Sequence, residues 1–356
     1  MNLDLDDPDL YRGVDSEGML SHIDALPDQL ADAWEYAQDL ALPEVGAIRQ
    51  VVTCGMGGSS ISGELAGALI SDVAKVPLFV HRDYDLPPFA SGPETLVLAL
   101  SHSGNTEETL SAARCAIERG TSLLAITTGG SLAPFVQEAG GTVWKYDYSS
   151  PPRAALGWLY GLTLAALSRL EIAPDLSPDV EETVALLRRG RKLLGVDSPV
   201  GKNAAKRIAG QLVDRIPVIW GAELLAPVAR RWKTQLNENA KSSAYFELLP
   251  ELNHNSIVGI EFPAELMHRI AIVQLLSPRY DHPRVAIRHE VTHDLLLQQG
   301  ILTEMIKARG ESRLAHQMSL IQFGDYVSYY LAVIYDVDPT PIGPITILKE
   351  KLAQAG

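Results

Sequence analysis

A short β-branched run at residues 48–54 ends in Gly55-Met56-Gly57-Gly58 and passes directly into a helical stretch over 61–70. Further apolar runs follow at 76–80, 95–101, 123–127 and 142–146, with helical spacing between them. Short apolar strands that alternate with helices predict a parallel, doubly wound α/β sheet, because each parallel crossover needs a helix to return the chain. The alternation resumes after a mostly helical stretch over 151–195, in which Pro174 and Pro178 mark a turn. Residues 215–221 read as a strand ending in glycine, followed by a helix into Lys241, in outline a repeat of the unit about 165 residues earlier.

The pattern predicts two similar α/β halves. At 356 residues the chain exceeds what one core usually supports, since single cores rarely grow beyond ~250–300 residues. The expected organisation is a helical segment over 1–45, a first domain over 46–195, a second over 196–336, and a tail over 337–356. In the second half, residues 244–248, 267–275 and 285–288 are strand candidates and 294–309 a helix. After Ser312 the chain reads as helical through about Tyr335. Pro339, Pro341 and Pro344 then break it before a short last helix.

A net charge of −14 excludes the basic stripe of a nucleic-acid-binding surface. It leaves room for a small anion held by backbone N–H groups and hydroxyls. Cys54 and Cys115 form no CxxC and fit a reducing cytosol. The acidic start lacks a secretory pattern. No run of about 18 apolar residues predicts a membrane span, so a cytoplasmic protein is expected.

Two glycine- and hydroxyl-rich turns stand out. Gly57, Gly58 and Ser59 lie between the first strand and its helix, where backbone amides can face an anion. The spacing meets neither a Rossmann fingerprint nor a P-loop. Ser101-His102-Ser103-Gly104-Asn105-Thr106 closes an apolar strand and places a threonine at the start of the next helix. Three hydroxyls and a helix N-terminus at the carboxyl end of a parallel strand suit a dianionic phosphate.

These two turns resemble the sugar isomerase (SIS) domain. The whole arrangement resembles the bifunctional phosphoglucose/phosphomannose isomerases, a branch of the phosphoglucose isomerase superfamily with two SIS domains. His102 stands where that family usually has an aromatic residue, and Glu64 where aspartate is common. The resemblance implies two doubly wound, flavodoxin-like, mostly parallel five-stranded sheets flanked by helices. It also implies an aldose–ketose isomerase acting on glucose 6-phosphate, and on mannose 6-phosphate, through a cis-enediol, with no metal or redox cofactor. Phosphate would be held by Ser59, Ser101, Ser103 and Thr106, with the backbone of Gly57 and Gly58.

In the same resemblance, Arg153 of Pro151-Pro152-Arg153 stabilises the enediolate, a role suited to a permanent cation. Glu238, in Gln235-Leu236-Asn237-Glu238-Asn239-Ala240-Lys241, moves the proton. His254, sixteen positions on, opens the sugar ring with Lys349, although Lys351 is close by. Chemically, one carboxylate can serve both carbons as a base, and histidine titrates in the range that ring opening needs. The family's dimers imply a homodimer in which His254 reaches the neighbouring subunit's site. Two other functions share the SIS module: an aminosugar-forming transferase, and a regulator that senses a sugar phosphate without catalysis. The first needs an ammonia source, and the second a partner-binding segment.

His289-Glu290-Val291-Thr292-His293 matches the zinc-protease pattern literally, and Glu311 has tolerable spacing for a third ligand. The strand-like alternation of Val285-Ala286-Ile287-Arg288 running into it predicts a strand-to-helix junction and no metal.

Overall fold

The computed structural model describes residues 4–355. The chain opens with α1 (Pro8–Val14), α2 (Met19–Asp24) and α3 (Leu26–Gln38). The first α/β unit follows as β1 (Gln50–Cys54), α4 (Gly57–Ile70), β2 (Leu78–His81), β3 (Thr95–Ser101), α5 (Glu107–Glu118), β4 (Ser122–Thr127), α6 (Leu132–Glu138) and β5 (Thr142–Lys145). A 3-10 turn at Pro152–Ala154 leads into α7 (Leu156–Arg169), α8 (Ser177–Leu194) and α9 (Ala204–Gln211).

The second unit contains β6 (Ile216–Ala222), α10 (Ala226–Glu238), β7 (Tyr245–Leu249), a 3-10 turn at Glu251–His254, α11 (Ala264–Met267), β8 (Ile270–Leu276), α12 (Pro283–Gln298) and β9 (Leu302–Lys307). The long α13 (Arg313–Ile334) and α14 (Gly343–Ala355) end the chain. None of the described helices is long and apolar enough to cross a membrane.

Both sheets are wholly parallel. The first runs β2-β1-β3-β4-β5 and the second β7-β6-β8-β9. The two orders reverse at the same place, between β1 and β3 and between β6 and β8, so the α/β halves are related as the repeated pattern predicts. β3 is buried along its whole length, as a parallel strand covered on both faces must be. Its side chains divide by period two. Leu96, Leu98 and Leu100 enter a large core that reaches from the first helices to α13, whereas Val97 and Ala99 enter a separate core on the other face. In β8, Ala271, Val273 and Leu275 join that large core, and Ile272 faces a third cluster. The two halves therefore share one hydrophobic interior. Each fully buried leucine in it contributes about 1.5–3 kcal/mol.

Three readings of the second half are corrected. It has four strands, not five, and residues 285–288 are helical. Pro283 at the first turn and the His282 side chain, which accepts from the Arg284 N–H at 3.1 Å, start α12 there. Val285, His289, Thr292 and Leu296 form its buried face. Helical spacing is present, but two of the four positions are polar and hide it. The helix stops before Gly300, which adopts φ +71°. Residues 302–307, expected to be helical, form β9.

Candidate active site

The phosphate-type loop between β3 and α5 is built tightly. Gly104 has φ +66°, and a Cβ there would lie 1.9 Å from the Gly129 carbonyl oxygen, so only glycine fits. The loop after β4 braces it: the Thr128 N–H and hydroxyl both donate to the His102 carbonyl, and the Asn105 carboxamide accepts from the Ser131 N–H. Ser101 Oγ accepts from the Gly104 N–H and lies 3.1 Å from Thr106 Oγ1. Thr106 makes no side-chain cap to α5, so its hydroxyl joins Ser101 and leaves the first amides of the helix uncapped by it. Ser59 Oγ accepts from the His102 N–H at 3.1 Å, which brings α4 to the same point. Ser103 is exposed and accepts from the Asn105 N–H.

His102 is a packing residue. It is buried, with Nδ1 2.8 Å from the Tyr146 hydroxyl and Nε2 3.0 Å from the Ser150 carbonyl oxygen. A carbonyl only accepts, so Nε2 carries the proton and Nδ1 accepts from the tyrosine. Burial holds its pKa below the ordinary value. This neutral ring ties the loop to the chain that leads into Pro151-Pro152-Arg153.

Arg153 is 3% exposed. Gly57 opens α4 with φ +50°, and a Cβ on Gly58 would lie 2.9 Å from the Arg153 Cα, so Gly58 is what allows the arginine's backbone so close to the helix. The guanidinium donates from Nε to Asn239 Oδ1 at 2.7 Å and from Nη2 to the carbonyls of Pro339 and Thr340 at 2.7 and 2.9 Å. Nη1 lies 3.4 Å from Glu238 Oε2. Of five N–H donors, one on Nη1 remains for a ligand.

Glu238 ends α10, with its side chain 24% exposed and Arg153 as its ion-pair partner. The residues around it are committed to structure. Gln235 donates to Asp325, Asn237 to the Ser242 carbonyl, and Asn239 to Ser328. Asp325, buried within α13, also accepts from Arg231 at 2.7 Å, and Arg231 in turn donates to the Arg153 carbonyl. Breaking such a buried pair costs about 3–5 kcal/mol. Sequence reasoning missed Arg231, Asn239 and Asp325. An acid in the middle of an apolar helix was a signal that a buried cation faces it.

The structure brings Ser59, Ser101 and Thr106 together, and Arg153 to Glu238. It does not bring His254 or Lys349 to them within the chain. His254 is exposed at the end of its 3-10 turn and its side chain makes no hydrogen bond or ion pair to another described residue, and α14 is exposed from Gly343 to Gln354, Lys349 and Lys351 included. A cavity of about 670 Å³ beside Lys206 and Tyr335, and one of about 600 Å³ along β9, include none of these residues in their walls.

The zinc-protease-like segment lies in the middle of α12, not at a strand-to-helix junction. His289 turns inward to Gln274 at 2.9 Å, and burial pushes its pKa down to about 4. His293 lies 3.3 Å from the Thr303 hydroxyl, and Glu311 pairs with Arg279. Among the described residues no group of three or more His, Cys, Asp or Glu side chains could hold a metal.

The matching crevice of the second sheet is acidic. Glu223 follows β6 with φ +43°, comparable to the +50° of Gly57 after β1, and its carboxylate accepts from the His282 N–H. Asp281, in the loop after β8, is pushed up to about 7 by burial, with a contribution from the charge of Glu223. The glycine turn at Gly57-Gly58 and the Ser101–Thr106 hydroxyls lie on the first sheet.

A model of the SIS domain matches residues 47–139, and one of the bacterial phospho-glucose isomerase C-terminal SIS domain matches residues 201–352. The chain is 42% identical to a bifunctional phosphoglucose/phosphomannose isomerase of Caldicellulosiruptor bescii, over 94% of this chain and 99% of that protein. The chain belongs to the bifunctional phosphoglucose/phosphomannose isomerase family. Members from Aquifex aeolicus and Thermoplasma acidophilum are 37% and 40% identical, covering 85% and 86% of this chain and 90% and 91% of theirs. A glucose-6-phosphate isomerase like protein of Thermus thermophilus shares the family fold, with a TM-score of 0.64 at 22% identity over 96% of this chain and 99% of that one.

Proposed function

We propose that the chain interconverts glucose 6-phosphate and mannose 6-phosphate with fructose 6-phosphate, as an aldose–ketose isomerase. The observation that carries this reading is the Arg153–Glu238 pair at 3.4 Å, a part-exposed carboxylate beside a buried cation with one N–H to spare. A sensor of sugar phosphates needs only the hydroxyl loop.

In the proposed reaction the hydroxyls of Ser59, Ser101, Ser103 and Thr106, with the α5 amides, hold the phosphate. His254 and Lys349 move the proton that opens the ring. Glu238 removes the C2 proton of the aldose while O1 is protonated, giving the cis-enediol. It then returns a proton to C1 as the O2 proton leaves. The Nη1 N–H of Arg153 stabilises negative charge on the enediolate oxygens.

The protein acts as a cytoplasmic homodimer in this proposal, with the partner subunit's His254 completing each site. Three facts support the pairing. His254 is exposed. Val258, Phe262 and Leu266, which follow it in the chain, are 76%, 77% and 52% exposed, and exposed large apolar residues mark interaction surfaces when they cluster. Asn253 also donates to Thr292 of α12, whose outer side adds exposed Ile287, Val291 and Leu295.

The test is direct. Purified protein incubated separately with glucose 6-phosphate and mannose 6-phosphate should form fructose 6-phosphate from each, and deuterium at C2 should pass at least partly to water. No ketose from either sugar, or deuterium wholly retained at the carbon skeleton, sinks the proposal.

A further inference from the structure

We infer that Lys241 is a positioning residue for isomerisation, locking the end of α10 that carries Glu238 onto the same backbone that clamps Arg153. The inference rests on the proposed role of Glu238.

Lys241 adopts φ +53°, a left-handed conformation that residues other than glycine rarely take. That turn sends its ammonium back toward the helix it has just left. Nζ donates to the Glu238 carbonyl at 2.8 Å and to that of Asn239 at 3.4 Å. Carbonyls at a helix C-terminus have no partner in the next turn and face the negative end of the dipole, so a cation there is well placed. The third bond leaves the helix: Nζ donates to the Pro339 carbonyl at 3.1 Å. The same carbonyl accepts from Arg153 Nη2 at 2.7 Å.

Pro339 is therefore a common anchor for the two cations that flank Glu238. It is buried, as is Thr340, whose carbonyl takes the other Nη2 donor. Asp338 secures the segment further by accepting from the Thr340 N–H at 2.9 Å. A second tie runs from Arg153 Nε to Asn239 Oδ1. Together these bonds close a loop through Glu238, Lys241, Pro339, Arg153 and Asn239. An ammonium has three N–H donors, and all three are directed at carbonyls, so Lys241 has none left for a sugar. It acts through Glu238, and residue 241 is exposed to solvent as a whole, so it is not a packing residue of the core.

One carboxylate that serves two adjacent carbons must be held accurately, and a misplacement of about 1 Å can cost about a hundred-fold in rate. The phosphate is held elsewhere, by the loop between β3 and α5. Loss of the ammonium should then reduce turnover and spare binding.

The experiment compares Lys241→Met and Lys241→Gly with the unchanged protein, reading kcat and KM for glucose 6-phosphate, the Kd of sorbitol 6-phosphate, which cannot isomerise, and Tm. Glycine accepts the left-handed backbone without strain, so Lys241→Gly removes the side chain while keeping the turn allowed and carries the test if Lys241→Met folds poorly. We expect kcat to fall at least about ten-fold in both, with KM and the sorbitol 6-phosphate Kd within about three-fold. Turnover within about two-fold of normal in Lys241→Gly overturns the inference, as does a fall in kcat matched by an equal weakening of sorbitol 6-phosphate. Glu238→Gln, assayed alongside, separates the two claims. If it keeps its turnover, the role of Glu238 is wrong; if it is inactive while Lys241→Gly is not, only the inference about Lys241 fails.

Discussion

Arg153 and Glu238 lie 85 positions apart in the chain, yet Nη1 of one stands 3.4 Å from Oε2 of the other. The arginine comes from the turn after the first sheet and the glutamate from the last turn of α10, in the second half. Their meeting joins the two halves at the candidate site, beside the bonds from Arg153 to Asn239, Pro339 and Thr340.

Arg153→Lys tests that meeting. An ammonium on a flexible stem cannot serve Asn239, Pro339, Thr340 and Glu238 from one plane. We expect kcat to fall by about a hundred-fold or more. Stability should fall by about 2–4 kcal/mol as buried carbonyl and amide oxygens lose their donors. Steady-state kinetics and urea denaturation measure both. Near-normal turnover in the lysine variant would remove Arg153 from the reaction.

Gly104→Ala should damage binding and folding together. The new methyl would meet the Gly129 carbonyl oxygen at 1.9 Å in a backbone that already has φ +66°. The loop cannot yield without releasing the bonds that hold Ser101 and Thr106. The expected cost is about 3–5 kcal/mol, with at least a ten-fold rise in KM, about 1.4 kcal/mol of lost binding. An alanine variant with unchanged KM and Tm would show that the loop is not needed in this form.

Mixed dimers test where His254 works. Glu238→Gln and His254→Ala variants, each inactive alone, are unfolded together and refolded as a mixture. If His254 serves the neighbouring subunit, each hybrid contains one intact site, and about a quarter of normal activity should return. If His254 serves its own chain, no combination restores a site and the mixture stays inactive.

Asp281→Asn should stabilise the protein in a pH-dependent way. The folded carboxyl is pushed up to about 7 from an ordinary 3.8, first by burial and then by Glu223. Between those values the folded chain holds a proton that the unfolded chain has released, so stability falls as pH rises through that window. Asparagine mimics the protonated acid. The variant should gain on the order of 1–3 kcal/mol at pH 8 and nothing near pH 4. Denaturation curves at both values decide it, and an equal gain at both would exclude titration as the cause.

The first half was legible because its strands are continuous apolar runs and its candidate phosphate loop is local, six residues in a row from Ser101 to Thr106. The second half was less so. Helix α12 turns His289 and Thr292 to the core, which breaks the apolar periodicity, and its β-branched residues imitate a strand. The pairing of Arg153 with Glu238 was visible only through resemblance, because no local pattern joins residues so far apart. Lys241 and Pro339 carried no signal of partnership at all. The acceptors are backbone carbonyls, which every sequence supplies alike, and only the fold decides which of them a cation reaches.

The acidic crevice of the second sheet sets a stoichiometry. Glu223 and Asp281 lie in the loops that correspond to those of Gly57 and Ser101–Thr106 in the first sheet, and carboxylates there would disfavour the dianion proposed to bind the first. Two similar halves should thus titrate one equivalent of sugar phosphate per polypeptide, and calorimetry should find no second, weaker isotherm. In the proposed reaction the repeated half binds no phosphate of its own and lends a carboxylate instead.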